Sequence, residues 1–351
     1  MESIGPLAIL WRSAGTGRKF VVRSKSDTTE SKITIESSQF LRDVLDGLGH
    51  AQKRIPSKYL YDTRGSELFA EICEVDEYYV TRTEMAILED NAPAMAERIG
   101  AHAVVIEPGA GNVTKVGTLL DALDEPQAFM AIDVSFDHLR EGMAQLEMNY
   151  PDVQMIPVEG DFTQHFTVPD LESDIGRRCL FFPGSTIGNF TPAEQLGILR
   201  SFGDVVEADG VMLIGIDLIK SRSTLEAAYD DAKGVTAEFN RNVLRRVERE
   251  FDATVDPDSF EHEARFDDAH NRIEMHLVSQ VEQTLEIESE AFEMQEGESI
   301  LTEYSHKFEL GAFTKMAGDA GLEVVTSWTD QDENFALVML EPQERDYALP
   351  R

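Results

Sequence analysis

The chain has 351 residues, with 66 acidic against 31 basic side chains and a net charge of −35. That length gives one large domain or two modest ones with a sizeable core, and the 42% hydrophobic and 28% charged shares exclude general disorder. A polyanion of this strength repels nucleic acid and anionic membranes, so neither is expected as a partner. Cys73 and Cys179 are the only cysteines, too few for a disulfide framework and without Cys-x-x-Cys spacing, so no metal site is expected. No apolar run approaches the ~18 residues that span a bilayer, and the start lacks the pattern of a leader. The expectation is a cytoplasmic protein.

Residues 1–32 carry six basic side chains (Arg12, Arg18, Lys19, Arg23, Lys25, Lys32) against three acidic ones, opposite to the rest. Residues 1–35 are therefore expected to form a flexible basic tail. Helical spacing follows at 40–51 (Phe40, Leu41, Val44, Leu45, Leu48) and at 66–73 (Leu68, Phe69, Ile72). From about residue 85 helices alternate with short apolar runs. A helix is expected at 85–99, a strand at 103–106, a helix at 115–123, a strand at 129–132, a helix around 139–146 and a strand at 153–158. Two more strands are expected at 179–182 and 211–216. This rhythm implies βαβ units and a Rossmann-like, mostly parallel, doubly wound α/β sheet. After about Ser221 the rhythm stops. A long helical stretch over 225–251, interrupted near Gly234, precedes period-two runs at 260–266, at Ile273, Met275 and Leu277, and less cleanly at Val281, Thr284 and Ile287. A helix at 313–320 and strands at 323–325 and 335–340 then return to the sheet. One domain is expected from 83–218 with 308–351, and a second from 36–82 with 219–307.

The first strand ends in Glu107-Pro108-Gly109-Ala110-Gly111-Asn112, and a helix begins just after. Small residues let backbone approach a ligand closely, and helix N-terminal amides favour a polar or anionic group. Asp133 stands at the tip of the second strand, 24 residues after Gly109, where a carboxylate can accept from ribose hydroxyls. Asp161-Phe162 follows the third strand, offering a carboxylate for an adenine amino group and a ring for its face. A dinucleotide fold would place a third glycine where Thr114 stands. S-adenosylmethionine, which has ribose and adenine but no phosphate, fits better than a nicotinamide cofactor. A protein that only senses adenosyl compounds would carry the same loop.

Long motifs accompany this set: Tyr61-Asp62-Thr63-Arg64-Gly65-Ser66, Glu77-Tyr78-Tyr79-Val80-Thr81-Arg82-Thr83-Glu84, Gly184-Ser185-Thr186-Ile187-Gly188-Asn189, Ala228-Tyr229-Asp230-Asp231 and Thr302-Glu303-Tyr304-Ser305-His306-Lys307-Phe308. With them the sequence, over about residues 40–342, resembles the histidine-specific, S-adenosylmethionine-dependent methyltransferases of ergothioneine biosynthesis. That family trimethylates the α-amino group of L-histidine to hercynine. The resemblance implies that Tyr61, Gly109, Lys115, Asp133, Asp161 and Phe162 line the cofactor site. It implies that Tyr78, Asn189 and Tyr229 hold the amino acid's carboxylate end, and that Glu303 and Ser305 bind the imidazole with Met275 nearby. The family often has proline at the positions of Asp76 and Val80, and the commoner form of the glycine loop is Glu-Leu-Gly-Ser-Gly.

The residue chemistry agrees. Glu303 and Ser305 are two apart in an alternating segment, so both project from one strand face and can address the two imidazole nitrogens. Transfer from a sulfonium to nitrogen needs a free amine lone pair, held in line with the methyl group. Tyr61 is the candidate to orient that amine or relay its proton. The expected partner is a small molecule, L-histidine and its mono- and dimethyl forms, acted on by a monomer. The alternative is an N-methyltransferase for another amino acid such as a tryptophan derivative, whose indole would leave Glu303 without its ring partner.

Overall fold

The structure is a computed structural model that describes residues 29–111, 113–164, 166–169 and 176–343. The expected basic tail lies outside the described residues up to position 28, and the chain is helical from Thr29. Helix α1 (Thr29–Leu48) buries Phe40, Val44 and Leu48, the stripe its spacing implies. Strand β1 (Lys53–Arg54) and helices α2 (Thr63–Cys73) and α3 (Tyr79–Ile99) follow. Asp62 starts α2 by accepting from the Gly65 amide at 2.8 Å. Its carboxylate also receives Asn242 and Arg249, each at 2.7 Å, from a helix far along the chain. A Cβ on Gly65 would lie 1.7 Å from the Leu60 carbonyl oxygen, so only glycine fits that turn. Helix α3 starts earlier than the spacing predicts, because Tyr79 and Val80 are themselves buried. Before it, the Arg82 guanidinium donates to the carbonyls of Asp76, Tyr78 and Val75 at 2.6, 2.9 and 3.3 Å. Those bonds fix the turn where the family often uses proline.

The βα rhythm is present as read: β2 (Val104–Pro108), α4 (Lys115–Ala122), β3 (Ala128–Asp133), α5 (Phe136–Asn149), β4 (Gln154–Glu159), β5 (Arg178–Phe182), α6 (Pro192–Val206) and β6 (Val211–Asp217). Then come α7 (Arg222–Tyr229), α8 (Val235–Phe251), β7 (Phe260–Asp267), β8 (Arg272–Ser279), β9 (Gln283–Ile287), β10 (Glu290–Met294), β11 (Ser299–His306), α9 (Leu310–Asp319), β12 (Leu322–Thr329) and β13 (Phe335–Pro342). Seven strands form one sheet in the order β12-β13-β6-β5-β2-β3-β4. All run parallel except β13, which is antiparallel to both neighbours. Strand order reverses between β2 and β5, and ligands of such sheets bind in the crevice outside the strand ends at that reversal.

A second sheet has the order β1-β11-β8-β7, antiparallel except that β1 runs parallel to β11. Strands β9 and β10 pair as a separate hairpin. Sequence spacing did not resolve that hairpin: Val281 is exposed and lies outside the strand, and the acidic turn before β10 masks its alternation. The two sheets meet where the Phe308 amide donates to the Asp217 carbonyl at 2.9 Å and the Ile219 amide to the Phe308 carbonyl at 3.1 Å. One apolar cluster runs from Leu68 and Leu88 through Val105 and Phe181 to Val243, Met275 and Ile300.

Asp62→Ala removes a helix cap and the link from α2 to α8 together. It is expected to lower the unfolding free energy by about 1–2 kcal/mol, read from the urea midpoint. An unchanged midpoint would show that the cap is not holding that junction.

Candidate functional site

The loop after β2 turns at Gly109, with φ +66°, and its Gly109 and Ala110 amides donate to the Ile132 carbonyl at 2.7 and 3.2 Å. A Cβ on Gly109 would stand 3.0 Å from the Phe162 ring, so the ring lies directly against the loop. Phe162 is held edge-on by Phe182 and Phe190, with centroids 5.4 and 5.8 Å away. Asp133, at the tip of β3, accepts from the Gly111 amide at 3.0 Å and the Ser135 amide at 2.7 Å. Asp161 caps its own turn through Thr163 and meets Lys58 at 3.4 Å. Gly109, Asp133, Asp161 and Phe162 thus gather at the ends of β2, β3 and β4, as the sequence reading expects.

Lys115, also expected there, is turned onto Glu84 at 2.5 Å. Glu84 lies fully buried on α3 and also accepts from the Gly184 amide at 2.8 and 3.0 Å. One carboxylate therefore ties the loops after β2 and β5 together at the crevice. Neither spacing nor resemblance assigns Glu84 a role, although a charge on the Val80–Leu88 apolar stripe marks it out.

The crevice fits an adenosyl sulfonium. Glu107 is buried, and its Oε2 has no hydrogen-bond partner among the described residues. Burial pushes its carboxyl up to about 8, with Lys115 opposing and Glu84 and Asp133 adding. A cation nearby would relieve that carboxyl, and Asp133 stands where vicinal hydroxyls can be accepted.

The second group sits on β11. Register shifts by one residue between Leu301 and Glu303, leaving Thr302 as a β-bulge. Before it Ile300 opposes Leu277; after it Glu303 opposes Met275 and Ser305 opposes Ile273. The bulge changes the alternation so that Glu303 and Ser305 share the buried face with Ile300. Without it, Glu303 would stand opposite Glu274. Thr302 Oγ1 donates to Asn240 Oδ1 at 2.6 Å, which holds the bulge against α8.

Glu303 is buried, and the Asn189 amide reaches it at 3.4 Å. Asn189 ends the 3₁₀ turn Thr186–Asn189 that follows β5, so the second sheet faces the loops of the first. Burial pushes the Glu303 carboxyl up to about 8 against the opposing charge of Lys307. The Ser305 and Tyr229 hydroxyls are 2.7 Å apart, and Lys307 Nζ donates to both, at 2.8 and 3.0 Å. Tyr78 packs edge-on to Tyr229 at 6.1 Å between centroids. Tyr61 is wedged between Phe69 and Phe239. Burial first, then the charge of Glu303, holds the Tyr61 phenol well above its ordinary value of 10, and Asp133 adds to this. The Tyr61 phenol stays protonated at neutral pH, and the Tyr61 carbonyl accepts from the Ser135 hydroxyl at 2.9 Å, next to Asp133. By the family resemblance Tyr78, Asn189 and Tyr229 belong at one end of the amino acid and Glu303 with Ser305 at the other. In the structure the sets interleave, Asn189 with Glu303 and Tyr229 with Ser305. Lys307 was missed, although the strand alternation Glu303, Ser305, Lys307 is its signal.

The family model of histidine-specific, S-adenosylmethionine-dependent methyltransferases matches residues 40–342. The chain belongs to that family. Histidine N-alpha-methyltransferase of Mycolicibacterium smegmatis is 39% identical over 302 residues, 84% of this chain and 92% of that one. The enzyme of the same name from Mycobacterium tuberculosis gives the same figures. Ergothioneine biosynthesis protein 1 of Neurospora crassa is 26% identical over 375 residues, covering 99% of this chain and 41% of that longer protein.

The two raised carboxyls give the methyltransferase a pH signature. Folding retains their protons at pH values where the unfolded chain, near 4.5, has lost them. That stability is fully present below 4.5 and is lost as pH rises through about 8. The melting temperature of the ligand-free protein is expected to fall over this interval, and Glu303→Gln to flatten the fall. Identical slopes in the two proteins would show that Glu303 is already ionised.

Proposed function

We propose that this protein transfers methyl groups from S-adenosylmethionine to the α-amino nitrogen of L-histidine, three times in succession, yielding hercynine for ergothioneine biosynthesis. The observation that carries the reading is a buried carboxyl and a hydroxyl, Glu303 and Ser305, turned to one face beside Asn189. That pair matches an aromatic ring with two nitrogens. An indole has one donor and no second nitrogen, so it cannot meet both Glu303 and Ser305, and a site built to hydrogen-bond a polar ring discriminates against such a ligand.

In this reading Gly109, Asp133, Asp161 and Phe162 hold the nucleoside, while Lys115 and Tyr61 border the reacting end. Tyr78, Asn189 and Tyr229 surround the amino acid, and Met275 packs beneath the ring. S-adenosylmethionine supplies, when bound, a methyl group activated on a sulfonium. The chain's own residues position the amine and exclude water. Tyr61, kept neutral by burial and by Glu303, is no phenolate base; its oxygen orients the amine, which enters unprotonated. Holding the reactants in line contributes up to ~7–11 kcal/mol in favourable cases, and such a transfer needs no oxyanion hole.

Residues 83–218 with 308–351 form the cofactor half, and 36–82 with 219–307 the substrate half. The reading places the protein in the cytoplasm as a monomer acting on small molecules. Among the described residues no helix is long and apolar enough to cross a membrane.

Incubation with histidine and S-adenosylmethionine is expected to yield products heavier by one, two and three methyl groups in the mass spectrum, ending at the third. A methylated indole amino acid and unchanged histidine would reverse the substrate assignment. Tyr61→Phe is expected to lower kcat by about 10²-fold for histidine and for its dimethyl form. Unchanged turnover with both would remove Tyr61 from the reaction.

A further inference from the structure

Lys307 is fully buried at its side chain, and each of its three N–H bonds has one acceptor: Asp217 Oδ2 at 2.7 Å, Ser305 Oγ at 2.8 Å and Tyr229 OH at 3.0 Å. A lysine ammonium has donors only. Both hydroxyls must therefore accept from it, and neither can turn its proton toward Nζ. The two hydroxyls are 2.7 Å apart, so one donates to the other. Two hydroxyl protons enter this triangle and one is consumed inside it. The triangle thus presents a single proton to the space beside Glu303.

Where Tyr229 donates to Ser305, both lone pairs of Ser305 are filled, by Lys307 and by Tyr229. Ser305 is then a pure donor, and it faces Glu303, whose carboxyl keeps its proton in the ligand-free protein and becomes acceptor-only when it ionises on receiving the ring N–H. A ring lying between them needs one N–H for Glu303 and one bare nitrogen for Ser305. A second cation there would also stand near the Lys307 ammonium, in a buried site where like charges are poorly screened.

We propose that Tyr229 donates to Ser305 and that Lys307, by filling the other lone pair of Ser305, fixes the hydrogen-bonding polarity of the pocket, so that histidine is held as one neutral imidazole tautomer with its N–H on Glu303 and its bare nitrogen on the Ser305 hydroxyl. Lys307 is a specificity-determining, positioning residue, and nothing in the transfer step passes through it. This inference rests on the histidine reading of the site.

The test uses ring-15N-labelled histidine bound to the full-length protein with S-adenosylhomocysteine present. In the wild type, one pyrrole-like and one pyridine-like nitrogen resonance are expected. Two pyrrole-like resonances mean a bound imidazolium and overturn the proposal while leaving the substrate reading intact. No histidine binding by the wild type overturns the substrate reading and this proposal with it.

A second arm separates polarity from simple ion pairing. Lys307→Gln alone leaves Asp217 held by Lys220 and the Tyr79 phenol with one cation fewer, so it is compared with Asp217→Asn/Lys307→Gln, which leaves neither partner of the pair charged. If Lys307 sets polarity, the double variant still binds histidine at least about tenfold more weakly than the wild type, with S-adenosylhomocysteine affinity within about twofold, and its two ring resonances lose their single-tautomer pattern. If Lys307 serves only to neutralise Asp217, the double variant recovers wild-type histidine affinity and spectrum, and the proposal fails.

Discussion

The carboxylate of Asp217 is the point at which the two sheets become one site. It ends β6 of the large sheet, is fully buried, and accepts from Lys307 at 2.7 Å, from Lys220 at 2.5 Å and from the Tyr79 phenol at 2.8 Å. Its backbone amide takes the Ser185 hydroxyl as acceptor at 2.9 Å, and its carbonyl takes the Phe308 amide. One residue thus joins β6, α3, the loop after β5 and the end of β11. Buried ion pairs contribute little net stability, since removing charges from water offsets most of their attraction. Their consequence is directional, because an arrangement that separated Lys307 from Asp217 would leave a charge buried alone. Burial pushes the second cation, Lys220, down to about 8, against the pull of Asp217, so the fully paired partner is Lys307.

Glu84 acts in the same manner across the large sheet. It holds Lys115 and the Gly184 amide together, and Gly184 opens the turn that ends in Asn189. Placement of the nucleoside loop and of Asn189 therefore depends on one buried carboxylate. In the proposed reading the cofactor crevice lies at the first sheet, and the ring pocket lies on the second sheet with Asn189 reaching in from the first. What aligns them is this pair of internal anions, Glu84 and Asp217.

Much of this was readable beforehand, and the reasons differ by element. Parallel strands buried on both faces write themselves as short apolar runs, which is why β2, β3, β5 and β6 fall where spacing puts them. The carboxylates Asp133 and Asp161 were legible because strand tips are where such sheets place ligands. Glu303 and Ser305 were correctly assigned to one face, but their being the buried face depends on the bulge at Thr302. A single inserted residue leaves no trace in an alternation count, because Ile300 and Glu303 then share a face across an odd interval. Glu84, Asp217 and Lys307 stayed silent for a related reason. A charge inside an apolar run states that it needs a partner and never names it, and each partner here lies on another element. The β9–β10 hairpin was hidden by its polar faces, and the early start of α3 by a turn that Arg82, rather than proline, holds in place.

The central claim is that the second sheet recognises the substrate ring while the first holds the cofactor. Calorimetric titration of Glu303→Ala, once with histidine and once with S-adenosylhomocysteine, addresses it most directly. The account predicts histidine affinity lower by about 10²-fold or more with cofactor affinity unchanged. Equal losses for the two ligands, or none for histidine, would contradict it.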